Sequence, residues 1–508
     1  MYIRIASGGI SNIQGQIIFV EVDISNGLPY FAMVGLLSSE VKESGERVRS
    51  AIRNSGYFVN PGRITISLTP GNIRKEGTGY DLAIAMGILI SSKAIDISNI
   101  DTKSLEKTII VGELGLDGSV KKINGVLPIL LKAKSEGYTS CIIPYDNSKE
   151  SHMIEGMRVY AVRDLKETVK AVMGSLQCYE NNSNKYFDKE YVCEIDNIFG
   201  NEYAKRALLV SVCGMHNILF MGPPGAGKTM LARSISSIMS EPDMDEKIDI
   251  ASIYSVCGLL KDELINIRRP FRNPHHSITL KAFTGGGSYP KPGEMTLAHR
   301  GVLFLDELPE FRSEVLESLR EPLEEKYINI VRNKNSCKFP ADFLLVGAMN
   351  NCKCGYYPDR NICRCSENDI RRYVNKIHGP LIDRIDICIN ILRVESKDIG
   401  NIYDKSKNVD YKKIVNDVQR IQRDRFKSES IKYNSQMDNN MVNKYCGMTK
   451  TANKLIKEVY DKMNLSVRSY YKIIKVARTI ADMDGEDMIN DIHLAEAIGY
   501  KNDIIERG

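Results

Sequence analysis

The chain has 508 residues, with Lys+Arg 69 against Asp+Glu 64 and a formal net charge of +5. Hydrophobic residues are 43% and charged residues 26%, which excludes collagen-like, transmembrane and wholly disordered chains and leaves room for about three domains. The mild basicity allows a local nucleic-acid patch without requiring one. No basic-then-apolar-then-small pattern marks Met1 to Gly15 as a secretory leader. Twelve cysteines in such a chain suggest a reducing, cytoplasmic setting, where clustered thiols bind metal or do chemistry.

In chain order, residues 1–170 read as mixed α/β. Ile17 to Val22 and Ile64 to Leu68 are β-branched strand candidates, as are the shorter runs Thr108 to Val111 and Cys141 to Ile143. Lys42 to Asn54 and Asp81 to Ile90 carry helical patterns. Residues 171–192, with Asn181, Asn182, Ser183 and Asn184, read as a linker. Residues 193–395 hold the chemistry, and residues 396–508 read as helical and charged, with helix candidates at Asp410 to Lys427 and Ser466 to Ala481.

Gly222, Pro223, Pro224, Gly225, Ala226, Gly227, Lys228 and Thr229 fit the phosphate-loop pattern G-x-x-x-x-G-K-[ST]. The apolar run Ile218 to Met221 enters it, and Leu231, Ile235, Ile238 and Met239 leave it at helical spacing. Backbone N–H groups can close around phosphate there, with Lys228 reaching the β/γ-phosphates of ATP and Thr229 ligating Mg²⁺. Val302 to Leu305 is an apolar strand delivering Asp306, a Mg²⁺ partner, and Glu307, a general base for the attacking water.

These two motifs resemble the AAA+ ATPases. The resemblance assigns Asn350, at the end of the apolar run from Leu344, to a sensor role beside the γ-phosphate. It makes Arg384 an arginine finger toward a neighbouring subunit, and Arg468 a second sensor on its own subunit's nucleotide. Arg320 is a further inter-subunit candidate. Arg269 to Ser277, Gly285 to Gly287, Pro292 to Glu294 and Leu297 to Gly301 narrow the resemblance to the magnesium-chelatase-like group. Val34 to Leu36, Val41 to Ser44, Arg47 to Arg49, Ile52 to Gly56, Arg74 to Gly77 and Lys475 to Asp482 resemble its ComM/YifB family. That resemblance implies an α/β fold, with a Lon-protease-like N-terminal domain, an AAA+ core and a helical lid. It also implies hexameric rings driving helicase and branch-migration activity on single-stranded or branched DNA in recombination or natural transformation, with no membrane. A chelatase-type motor for metal insertion and a protein-remodelling ATPase are the alternatives.

A Lon-like protease needs a Ser-Lys dyad. Thr78, Gly79 and Tyr80 stand where the serine motif falls, and Leu127 where the lysine falls, with Lys121 and Lys122 nearby, so the domain reads as non-catalytic. Cys352, Cys354, Cys363 and Cys365 form C-x-C-x₈-C-x-C, four thiolates in one loop that can close a tetrahedral Zn²⁺ site; free thiols or a redox pair are the alternatives. His275 and His276 have no further ligand at metal spacing. Lys281 and Phe283 are candidates for DNA backbone contact and base stacking, and Arg420, Arg423 and Arg425 for phosphates or, equally, a solvated helix face.

Overall fold

The computed structural model describes residues 1–96, 101–179, 195, 198, 200–260, 267–287, 290–332, 335–377, 381–393 and 409–505. It divides into two units: Met1–Phe187 with Met244–Ile267, and Asp188–Asp243 with Arg268–Gly508.

The first unit is built on a seven-stranded sheet in the order Tyr30–Val34, Arg63–Thr69, Gln14–Ser25, Tyr2–Ser11, Thr108–Ile110, Ser140–Pro144 and Arg158–Val162. Gln14–Ser25 pairs antiparallel with both of its neighbours, and the outer pairings are parallel. The helix Ser39–Asn54 starts on Ser38, whose Oγ accepts from the Val41 N–H, and buries Val41, Val48, Ala51 and Ile52. The helix Asp81–Ser91 is buried all round, which is why its sequence is apolar without a polar face. Within it Gly87 lets the helix approach the sheet: a Cβ there would lie 2.5 Å from Val22 Cγ2. Arg47 Nε bonds the buried Asp81 carboxylate at 3.0 Å. Burial pushes that carboxyl up to about 6, with Arg47 pulling the other way.

The helix Met244–Val256 falls inside the segment that the sequence assigns to the ATPase core, yet it folds with the first unit. Ala251 joins Ile109, Leu127, Leu130 and Cys141 in one apolar cluster. Ser255 Oγ donates to the buried Glu150 at 2.6 Å, and Ser255 O accepts from Gly125 N at 3.1 Å. The start of the expected linker is also ordered: the helix Leu165–Val172 runs into it, and Tyr179 N bonds Val159 O at 2.7 Å. Residues 180–192 of the linker, and the expected boundary at 395/396, lie outside the described residues.

The second unit carries a five-stranded parallel sheet in the order Phe271–Arg272, Val302–Leu305, Leu344–Met349, Ile218–Met221 and Ile387–Asn390. Its central strands Val302–Leu305, Leu344–Met349 and Ile218–Met221 are apolar and fully buried, as a parallel sheet covered on both faces requires. The helices Glu202–Gly214, Tyr411–Arg425, Lys450–Lys462, Val467–Met483 and Asp491–Ile505 close one face, sharing a single core with Phe220, Val346 and Ile389. A buried pair ties helix to sheet: Lys472 Nζ lies 2.7 Å from Asp386 Oδ1. Asp386 also accepts from Asn217 N at 3.0 Å, so its carboxyl is held ionised, well below the usual range, although burial alone would raise it.

Candidate nucleotide site and cysteine centre

The phosphate loop sits between the strand Ile218–Met221 and the helix Lys228–Ile238, at the C-terminal edge of the sheet, where open parallel sheets bind ligands. Gly222, Gly225 and Gly227 have φ of +154°, +74° and +88°, which only glycine adopts without strain, so the loop can turn its N–H groups inward. A Cβ on Gly222 would meet Ile391 O at 2.3 Å. Lys228 Nζ donates to Gly222 O and Pro223 O at 2.8 Å each and to Asn350 Oδ1 at 3.0 Å. Burial lowers the lysine's proton affinity, and Asp306 and Glu307 oppose that.

Thr229 Oγ1 donates to Asp306 Oδ2 at 2.9 Å. This joins a hydroxyl and a carboxylate, the hard oxygen donors Mg²⁺ takes. The Glu307 N–H bonds Asp306 Oδ1 at 3.0 Å. Glu307 itself is left-handed, at φ +51°, and its side chain stays 59% exposed. Backbone strain of this kind gathers at functional sites. Lys228, Thr229, Asp306 and Asn350, dispersed in sequence, therefore meet in one place.

His276 Nδ1 lies 3.5 Å from Glu307 Oε2 and its ring packs edge-on to Phe311. The sequence pattern offered no signal for this pairing. The contact holds the proposed base in place. Removing a surface contact of about 1 kcal/mol shifts the placement of that side chain about fivefold, so His276→Ala is expected to lower basal ATP turnover severalfold in a steady-state assay.

The two arginines form a second centre. Arg384 Nη2 bonds Glu324 Oε1 at 2.5 Å, and Arg468 Nη2 bonds the same oxygen at 2.8 Å. The bonds of Lys228 and Thr229 go to Gly222, Pro223, Asn350 and Asp306, none to either arginine. Burial lowers the Arg384 proton affinity, Glu324 restores it, and Arg468 and Arg320 lower it further. Arg320 thus stands in the same electrostatic neighbourhood. Glu324 itself was not singled out by the sequence pattern.

The conspicuous basic motif residues are braces. Arg272 makes a two-bond fork with Glu294 at 2.7 Å each. Arg269 bonds Ser240 O and Arg300 O at 2.8 and 2.9 Å, and Arg300 pairs with Asp342 at 3.0 Å. Phe283 is fully buried among Met295, Leu305 and Leu316, so it is core and not a stacking platform; Lys281 stays exposed. Arg425 pairs with Asp482 and Asn434, whereas Arg420 pairs on the surface with Asp417 at 3.2 Å.

The four cysteines converge. The Sγ atoms of Cys352 and Cys354 are 3.3 Å apart, Cys352 and Cys363 3.7 Å, and Cys354 and Cys363 3.6 Å, with Cys365 included inside 4.8 Å. A tetrahedron with Zn–S near 2.3 Å has edges of roughly 3.8 Å. Tyr357 N donates to Cys352 Sγ at 3.4 Å, and a bond from the Tyr356 backbone, with the neighbouring thiols, lowers Cys354 to about 6. Among the remaining described cysteines, Cys141, Cys213, Cys337, Cys388 and Cys446 are buried in cores.

In the first unit, the Thr78 hydroxyl bonds Glu113, and the Leu127 N–H bonds Glu150 at 3.1 Å. Lys121 and Lys122 are exposed. No described helix is long and apolar enough to cross a membrane.

Residues 194–399 match the family model described as magnesium chelatase, subunit ChlI; residues 20–147 match subunit ChlI of Mg-chelatase, and residues 405–501 its C-terminal part. The chain is 38% identical to competence protein ComM of Haemophilus influenzae over 96% of this chain and 95% of that one. It is 36% identical to protein YifB of Escherichia coli over 95% and 94%. A shorter match, 32% identical over 136 residues, covers 27% of this chain and 23% of Lon protease 2 of Bacillus subtilis. With these similarities spanning almost the whole length, the chain belongs to the ComM/YifB family of magnesium-chelatase-like AAA+ ATPases.

Proposed function

We propose that the protein is a Mg²⁺-dependent, ring-forming ATPase that moves along DNA. The observation that carries the ATPase part is the meeting of Lys228, Thr229, Asp306 and Asn350 at the mouth of the glycine loop. Thr229 and Asp306 would hold Mg²⁺, which would neutralise phosphate charge during transfer. Lys228 binds the phosphate oxygens, Asn350 orients the attacking water, and Glu307 accepts its proton. The helices of residues 409–505 serve as the lid. Because Arg384 and Arg468 share one carboxylate oxygen, we assign both to one face, offered together to a neighbouring protomer's γ-phosphate; this replaces the expectation that Arg468 serves its own nucleotide. The cysteine loop takes Zn²⁺. The first unit is a binding or assembly module and not a protease, since Thr78 spends its hydroxyl on Glu113 and an apolar residue, Leu127, stands where a lysine is needed.

DNA as the track rests on the family and on the relative named as a competence protein. The magnesium-chelatase family descriptions, which cover part of the first unit as well, favour a second reading, a motor for metal insertion. ATP hydrolysis is measured with single-stranded DNA, duplex DNA or an unfolded polypeptide added. Stimulation by DNA is expected. Stimulation by polypeptide alone refutes the DNA reading, and indifference to both polymers favours the chelatase-type motor.

A further inference from the structure

The cysteine loop stands against the phosphate loop. Cys352 follows Asn350 by two residues, and Asn350 Oδ1 accepts from Lys228. Gly355, at the tip of the first C-x-C turn, is buried and left-handed at φ +89°. A Cβ placed on it would lie 2.6 Å from Pro224 Cγ, 2.7 Å from Pro224 Cδ and 3.7 Å from Asn350 Cγ. Only a bare backbone fits there, so Gly355 packs directly on the proline of the phosphate loop.

The turn is fixed internally by Gly355 N donating to Cys352 O at 3.0 Å and by Asn351 Nδ2 donating to Tyr357 O at 3.1 Å. Its ends are gathered by the thiol cluster, with Cys363 and Cys365 eleven residues from Cys352 and Cys354 respectively, and by Cys363 N donating to Asp359 O and Arg360 Nη1 to Cys365 O, at 2.8 Å each. Four thiolates this close repel one another unless a cation holds them. The phosphate loop, for its part, has three glycines with positive φ, and Lys228 ties its Gly222 and Pro223 carbonyls to Asn350, two residues before Cys352.

We propose that Zn²⁺ bound by Cys352, Cys354, Cys363 and Cys365 sets the shape of the phosphate loop through Gly355, so that nucleotide affinity depends on the metal. This rests on the nucleotide and zinc readings above and adds the coupling between them. The zinc centre then acts as a positioning element for ATP: it seats Pro224 and sets Asn350 opposite Lys228 without touching phosphate.

The test compares the full-length wild type, Cys363→Ser and Gly355→Ala. Zinc content is read by atomic emission and nucleotide affinity by a fluorescent ATP analogue. The wild type is expected to hold zinc. Cys363→Ser is expected to lose it and to bind nucleotide about tenfold more weakly, a change of about 1.4 kcal/mol in binding. Gly355→Ala is expected to keep zinc and still bind nucleotide more weakly, which loss of metal cannot explain. Should Cys363→Ser fail to fold, chelation of the folded wild type followed by zinc return makes the same comparison. Unchanged affinity in metal-free wild type, or in Gly355→Ala, overturns the coupling. A zinc-loaded wild type that binds no nucleotide overturns the ATPase reading instead.

Discussion

Glu307→Gln is expected to bind ATP as the wild type does and to lose turnover by about 10²–10⁴-fold, the usual contribution of a positioned general base. The amide keeps the size of the side chain but cannot accept the water's proton. Lys228, Thr229 and Asp306, the proposed nucleotide-binding residues, are untouched, and the bond that the Glu307 backbone N–H donates to Asp306 survives the change. The left-handed backbone at this position is likewise set by the neighbouring chain and not by the carboxylate. Equilibrium binding of an ATP analogue beside single-turnover hydrolysis separates the two effects; hydrolysis at the wild-type rate removes Glu307 from the base role.

Arg384→Ala is expected to lower turnover by about 10³–10⁵-fold, as removal of an arginine from a transferring phosphoryl group does elsewhere. The informative experiment mixes it with Lys228→Ala. Each variant alone is inactive, one for want of a finger and the other for want of a phosphate lysine. In randomly mixed rings roughly a quarter of the interfaces pair an intact loop with an intact finger, so about that share of the wild-type rate returns. Mixing that restores nothing, with rings present by sedimentation, places the arginine's action within its own subunit. Glu324 bears on the same point. Arg384 is only 8% exposed while bound to it, so reaching a neighbour requires giving up that carboxylate.

Local features of the site were legible because they are written contiguously. The glycines, Lys228 and Thr229 occupy one loop, and each flanking apolar run became a strand or helix within about two residues of the pattern. The thiol cluster was legible for the same reason, its ligands falling within one short loop. Long-range partners were not. Glu324 is 60 residues from Arg384 and 144 from Arg468, and nothing in a helix of ordinary charge marks it as their common anchor. His276 and Glu307 are equally unmarked. Phe283 misled because an aromatic between Ala282 and Thr284 has the same local sequence whether it faces solvent or a core. The helix Met244–Val256 misled because its apolar residues state that it packs, but not on what.

That helix has a topological consequence. The chain leaves the catalytic unit after Asp243 and re-enters it at Arg268, in addition to the junction at Phe187. The exit follows closely on the helix that begins with Lys228, and the re-entry leads directly into Phe271–Arg272 and on to His276. The two covalent links of this insertion therefore join the second unit close in sequence to its proposed nucleotide residues, one shortly after the helix Lys228–Ile238 and one shortly before Phe271–Arg272.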